Sequence, residues 1–450
     1  MSFPRYPAYK DSGVDWLGNV PSHWHVTPLK YMVEMRSGGT PDKANTTYWD
    51  GGIPWASAKD LKVSNLYDTA DHISDEAVSS GASSLIPAGS VLVVVRGMIL
   101  ARTFPVVTAK VPMAINQDLK AVIPNAGLQP NFLAWMLRGA EAESLSRLDE
   151  AGHGTKALRM DAWGSMDLPC PPLDEQHAIA EFLDYETAKI DALVAEQEQL
   201  ITLLKEKRQA VISHAVTKGL DPSVPMKDSG VEWLGAVPAH WEVTSLKRQW
   251  TATDCKHVTA EFVEDGIPLA SIREVQSRWV ELADAKRTTE HFYELLIEGG
   301  RDPRPGDLIF SRNATVGEVA QVPVDHPPFA MGQDVVLLRR IDPESPADFL
   351  QLVIRSTVVT EQLAVCMIGS TFKRINVEEI RSLVIAFPPT DEQQKISNYL
   401  IAQAEQFDHL IEEAVLSIEL LRERRSALIS AAVTGQIDVR GLAPALEQAA

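Results

Sequence analysis

Arginine can meet guanine through two parallel hydrogen bonds, and asparagine and glutamine can do the same with adenine. This chain offers those side chains in two separate stretches. Arg36, Lys59 and Arg96 lie in the first, followed by Lys156 in the polar turn Gly152-His153-Gly154-Thr155-Lys156. Arg273, Arg312, Asn313, Gln333, Lys373 and Arg374 lie in the second. The lysines would serve phosphates, which fix position without carrying sequence. The chemistry on offer is non-covalent recognition of a nucleic acid, although each cation also reads as an ordinary solvated charge.

Bond-making chemistry has less to work with. No Walker loop, HExxH, GxSxG or metal-spaced His/Cys cluster is present. His326-Pro327-Pro328-Phe329 is similar to the Pro-Pro-aromatic loop of amino-methyltransferases. Those enzymes need Asn, Asp or Ser in its first position to accept from the target amino group, and no glycine-rich cofactor turn accompanies it here. Cys170, Cys255 and Cys366 are far apart and form no CxxC pair, which suits a reducing cytoplasm better than a disulfide framework.

The charge opposes the recognition reading. The 450 residues carry a net charge of −19. Residues 31–167 hold 12 Lys/Arg against 15 Asp/Glu, and residues 248–384 hold 15 against 21. Neither stretch is a basic module of the usual kind. Two arrangements resolve the conflict together: cations gathered on one face of each domain, and partner subunits that supply most phosphate contacts.

The elements that must position these residues repeat at a spacing of 217. Lys10–Lys30 and Lys227–Lys247 are identical at 16 of 21 positions, and Pro171-Pro172-x-Asp174-Glu175-Gln176 returns as Pro388-Pro389-x-Asp391-Glu392-Gln393. Residues 31–167 and 248–384 keep almost no identity, so one frame carries two diverged inserts. Trp16, Trp24, Trp233 and Trp241 are expected to pack inside the frame beside Pro21 and Pro238. Within the inserts, Ser90–Val95 and Leu308–Phe310 read as buried strands and Asn131–Arg138 as a helix, which gives a mixed α/β class.

After each Pro-Pro pair comes a long helical pattern. Its apolar seam runs through Ile179, Leu183, Ile190, Leu193, Leu200, Leu204 and Val211, and again through Ile396, Leu400, Phe407, Leu410, Ala414, Leu421 and Leu428. Two such helices are expected to pair as an antiparallel coiled coil, ending at Gly219 and Gly435 in left-handed caps. The expected division is 1–30, 31–167, 168–220, 221–247, 248–384, 385–438 and a tail at 439–450. Each frame needs pieces from distant parts of the chain, so the first and last segments should meet, and the whole should have an internal pseudo-twofold. No apolar run approaches a membrane span.

Taken in order, these features resemble the specificity subunit of type I restriction–modification systems. The repeated KDSGV[DE]WLG-x-VP-x-HW element and the PP-x-DEQ helix starts carry the resemblance. So do Ser37-Gly38-Gly39-Thr40-Pro41, Gly52-Ile53-Pro54-Trp55 and Asn116-Gln117-Asp118 in the first insert, and Gly306-Asp307-Leu308-Ile309 and Gly332-Gln333-Asp334 in the second. The resemblance adds Ser37 and Thr40 to the candidate contacts. It implies two target recognition domains on paired helices, each reading one half of a split double-stranded DNA sequence, with no catalysis in the chain. Two modification subunits would carry S-adenosylmethionine, and restriction subunits would use ATP and Mg. The competing classes are a protein-only scaffold and a self-sufficient methyltransferase.

Overall fold

The computed structural model describes residues 3–152, 154–367 and 374–442. The chain forms two compact units, Met1–Gln197 with Leu416–Ala450, and Glu198–Val415. We call them the first and the second unit. The class is mixed α/β, as the sequence implies.

The repeated frame has the same local structure in both units. In the first, Tyr9–Asp11 pairs with Asn19–Pro21, and His25–Pro28 pairs with Asp167–Cys170. In the second, Met226–Asp228 pairs with Ala236–Pro238, and Glu242–Ser245 with Val384–Phe387. The Asp-Ser-Gly turns match as well: Asp11 accepts from the Gly13 amide at 2.9 Å and Asp228 from the Gly230 amide at 3.0 Å. The frame therefore joins residues on both sides of each insert, and the insert folds out from it.

Each insert is built on an antiparallel sheet with one strand order. In the first unit, Val33–Ser37, Leu119–Pro124, Val91–Val94, Val106–Ala109 and Asn65–Leu66 lie side by side. In the second, the order is Trp250–Asp254, Val335–Arg340, Leu308–Ser311 and Val319–Gln321. Val33–Ser37 and Trp250–Asp254 stand 217 residues apart, as do Val91–Val94 and Leu308–Ser311. The spacing thus survives where sequence identity does not. The central strands Val91–Val94 and Leu308–Ser311 are buried along their whole length, which explains their unbroken apolar or small residues. A smaller sheet in each unit contains one parallel pair: Trp49–Ala56 with Met113–Ile115, and Ile267–Ala270 with Ala330–Met331. The expected helix is present as Pro130–Gly139, with a second-unit counterpart at Ala347–Ile354.

The long helices are Leu173–Lys218 and Thr390–Val433. In the first unit, Ile179, Leu183 and Ile190 share a core with Leu428, Ile429 and Val433. In the second, Ile212 and Val216 share one with Ile396 and Leu400. The pairing is antiparallel within each unit, as expected. The continuous buried seam is not found. Leu193, Leu200 and Leu410 are 45%, 42% and 47% exposed. Two paired helices cover only one stripe of each other, and a strict seven-residue step drifts around a straight helix by roughly 20° per heptad. Near the helix ends a globular domain supplies a second wall, and there the seam is buried.

Both caps are as expected, with φ of +74° at Gly219 and +75° at Gly435. The ends meet too: the Asp438 amide donates to the Pro4 carbonyl at 2.8 Å, and the Tyr9 hydroxyl to the Gly435 carbonyl at 3.1 Å. Trp24 and Trp241 are fully buried, whereas Trp16 is half-buried and Trp233 is 37% exposed, so packing accounts for one tryptophan of each pair. Phe329 lies in a core cluster, which gives the His-Pro-Pro-Phe loop a structural role. No single helix among the described residues is long and apolar enough to cross a membrane.

Candidate nucleic-acid interface

In the first unit, the polar candidates collect at one end of the main sheet. Lys120 stands opposite Ser37 and Leu119 opposite Val94, so the segments after Ser37 and Val94 and before Leu119 leave the sheet together. Lys120 Nζ donates to Ser37 Oγ at 2.5 Å, and Thr40 bonds Gln117. The Val95 amide donates to the Asp118 carbonyl at 2.8 Å. Arg96 follows on a short strand, Arg96–Gly97, whose partner is Lys156–Leu158. Ser37, Thr40, Arg96 and Lys156 are thereby brought to one place.

Most of the cations there are engaged. Arg36 forks onto Glu34 with contacts of 2.7 and 3.3 Å, and that hydrogen bond holds the Glu34 carboxyl below the usual carboxylate range. Lys156 pairs with Glu150 at 2.8 Å. Lys59 pairs with Asp71 at 2.6 Å and belongs to the smaller sheet's surroundings, apart from the others. Arg96 is exposed and, of these four, alone has no ion pair among the described residues.

In the second unit the same end of the sheet is knotted by carboxylates. Arg312 is 4% exposed; its nearest acid, Asp254, is 3.5 Å away, and its Nε and Nη2 have no hydrogen-bond partner. Asn313 Nδ2 donates to Asp334 Oδ2 at 3.2 Å, and Arg374 stands 3.5 Å from Asp334 Oδ1. The bridge between Asn313 and Arg374 repeats, 217 residues on, the pairing of Arg96 with Ala157. Asn313 therefore occupies the place of Arg96. Gln333 and Arg273 line a separate cleft of about 440 Å³. Arg273 is tied there to the Asp284 carbonyl at 2.5 Å and to Glu274 at 3.3 Å. Lys373 lies outside the described residues.

Asp254, Cys255 and His257 put a carboxylate, a thiol and an imidazole within 4.8 Å of one another, a grouping the sequence spacing did not suggest. The carboxylate already faces His257 at 3.2 Å and Arg312 at 3.5 Å. Burial, and then Asp254, push the Cys255 thiol up, away from the thiolate a metal requires. The group is best described as an ion-pair cluster.

The frame motifs acquire their reason at the base of each insert. Glu175 accepts from Trp24 Nε1 at 2.9 Å and bonds His23 at 2.6 Å, so His-Trp and the Asp-Glu-Gln glutamate are two halves of one contact. Glu392 bonds His240 at 2.7 Å. Gln176 and Gln393 bond the Pro171 and Pro388 carbonyls at 3.0 and 2.9 Å, and each reaches the segment ahead of the insert's helix.

Sequence reading missed a second duplicated contact. Arg138 donates to the Ser64 and Val106 carbonyls, each at 3.1 Å, and Arg355 donates to the Ser277 and Val319 carbonyls at 2.7 and 2.9 Å. Beside them, Arg425 pairs with Asp191 at 2.8 Å and Arg208 with Asp408 at 2.5 Å. Arg138/Arg355, Asp191/Asp408 and Arg208/Arg425 are all 217 residues apart. That shared offset was the available signal, but isolated charged residues do not stand out without the fold.

A family model described as the type I restriction modification DNA specificity domain matches residues 21–203 and 301–417. The chain is 32% identical over 180 residues to the type I restriction enzyme EcoR124I/EcoR124II specificity subunit of Escherichia coli, an alignment covering 39% of this chain and 42% of that one. It is 21% identical to the putative type I restriction enzyme MjaX specificity subunit of Methanocaldococcus jannaschii, over 94% of this chain and 96% of that one. Among solved structures, the HsdS subunit from Thermoanaerobacter tengcongensis aligns with a TM-score of 0.54 at 15% identity, over 93% of this chain and 98% of that one. A chain from work on complex assembly and conformational transition of the type I R-M system aligns with a TM-score of 0.66 at 17% identity, over 92% and 98%. The first of these alignments thus spans about two fifths of its curated relative, whereas the structural likenesses span nearly whole chains and speak to the fold.

Proposed function

We propose, because the chain belongs to the type I restriction modification DNA specificity domain family, that it is the DNA sequence-recognition subunit of a type I restriction–modification complex. It recognises and does not catalyse. Each unit reads one half of a bipartite double-stranded target, and the long helices set the gap. Two modification subunits carry S-adenosylmethionine, and restriction subunits, where present, carry ATP and Mg. The complex acts in the cytoplasm.

One observation carries this reading: two units of one strand order hold different polar side chains at the same end of the main sheet, Arg96 in one and Asn313 in the other. Equal frames with different tips suit two different half-sites. Contacts to modification subunits would fall on the uncovered middles of the helices, where Leu200, Leu203 and Leu410 of the second unit stay exposed. Such subunits also answer the charge conflict, since the tips' cations are largely paired internally and a chain at −19 is a poor phosphate binder alone.

Mapping DNA methylation in a host expressing this chain with its cognate modification subunit tests the reading. A single bipartite methylated sequence is expected. A complex that assembles but retains DNA without sequence preference would favour the scaffold class instead.

A further inference from the structure

We propose that, in the first unit, the cleft between the recognition domain and the helix pair binds the phosphodiester backbone of the target duplex, outside the bases read at the sheet end. The proposal rests on the recognition reading above. The cleft encloses about 980 Å³, and its lining includes Lys62, Arg102, Arg138, Arg422 and Arg425 with one carboxylate, Glu141. That carboxylate is occupied: one of its oxygens accepts from the Thr103 hydroxyl and from the Phe104 amide, both at 2.8 Å. Lys62 and Arg102 are exposed and have no ion pair among the described residues. Burial and the neighbouring Arg425 lower the Arg138 pKa to about 10, a sign that positive charge is concentrated here rather than neutralised.

The fold does not demand this. The matching cleft of the second unit keeps the duplicated Arg355 and Arg208 and adds Arg278, but sets Glu318, Asp348, Glu405 and Asp408 among them. One copy has become cationic in a chain whose overall charge is strongly acidic. A polyanion gains most where fixed positive charge stands without counter-charge.

Position favours DNA over an acidic protein segment. Val106, whose carbonyl Arg138 holds, stands opposite Val93 in the sheet, at the end that leads to Arg96. Arg96 and Arg102 flank the single turn Met98–Ala101. The cleft therefore opens beside the candidate reading end, where a duplex seated on Arg96 would continue.

The test uses the complete complex with its modification subunit. Binding to a target duplex is measured as a function of salt, for the parent and for the double variant K62Q/R102Q. Each phosphate contact contributes about 0.9 to the slope of log K against log salt. The variant should lose between roughly 1 and 2 from that slope. Its affinity should fall by the same factor on target and non-target duplexes, and the methylated sequence should not change. R278Q, in the second unit's cleft, should leave the slope as it was. An unchanged slope in K62Q/R102Q, a changed methylated sequence, or a failure to assemble with the modification subunit would each overturn the proposal, the last by pointing to an acidic protein segment. If the parent complex itself shows no sequence dependence, it is the recognition reading that falls.

Discussion

The two units have the same strand order and the same joints, yet they use their polar groups differently. In the first, Glu175 is 4% exposed and bonds both His23 and Trp24, with Arg440 3.6 Å away. In the second, the Glu392 side chain is 25% exposed and bonds His240, while Trp241 Nε1 has no partner. At the sheet end, an exposed and unpaired Arg96 corresponds to an Asn313 bound to Asp334. What duplication holds fixed here is the set of contacts that seats an insert on its helices. The sheet end and the cleft behind it are free to differ, and those are the places where a reader must differ.

The largest stability difference should appear at the frame glutamates. E175A leaves the Trp24 N–H buried and unpaired and removes an acid facing two cationic groups, at a cost of about 3 kcal/mol. E392A should cost about 1 kcal/mol, because its carboxylate is part-exposed and Trp241 makes no use of it. Denaturant midpoints of the two variants check this, and equal shifts would break the comparison.

At the tips, R96A should cost about 2 kcal/mol of discrimination at one guanine in the first unit's half-site and leave the other half-site intact. N313A should relax an adenine in the other half. Methylation mapping reads both. A uniform loss across all sequences would make Arg96 a phosphate contact.

The helix caps give a finer contrast. Alanine at either glycine meets a left-handed backbone, worth about 1–2 kcal/mol. A Cβ at Gly435 would also lie 2.4 Å from Pro21 Cδ, whereas at Gly219 the nearest atoms are 3.2 and 3.3 Å away on Glu392 and Trp241. G435A should therefore lower the melting temperature more than G219A. The smallest effects belong to the exposed pairs: K59A and K156A should each change stability by less than about 1 kcal/mol.

Much of the frame was legible in the sequence because its contacts are local or paired motifs. His-Trp and Asp-Glu-Gln recur together, and the glycine caps follow Val-Thr at both helix ends. The strand order was not legible. Antiparallel neighbours such as Leu119–Pro124 and Val33–Ser37 are far apart in the chain, and the inserts share little identity to reveal them. The candidate cations were legible as residue types but not as states. Nothing near Arg312 in the sequence says that it is buried, and nothing near Lys59 says that Asp71 holds it. The helical seam was over-read, since periodicity reports which residues share a face and not whether anything covers that face.

Replacing residues 248–384 with the corresponding stretch of a relative that recognises a different sequence tests the central claim most directly. The stretch lies between the frame strands Glu242–Ser245 and Val384–Phe387 and leaves the first unit's insert untouched. With the modification subunit present, methylation mapping should show one half of the bipartite target exchanged, the other half retained and the gap unchanged. A target altered in both halves, or in neither, would contradict the account of two independent readers on one repeated frame.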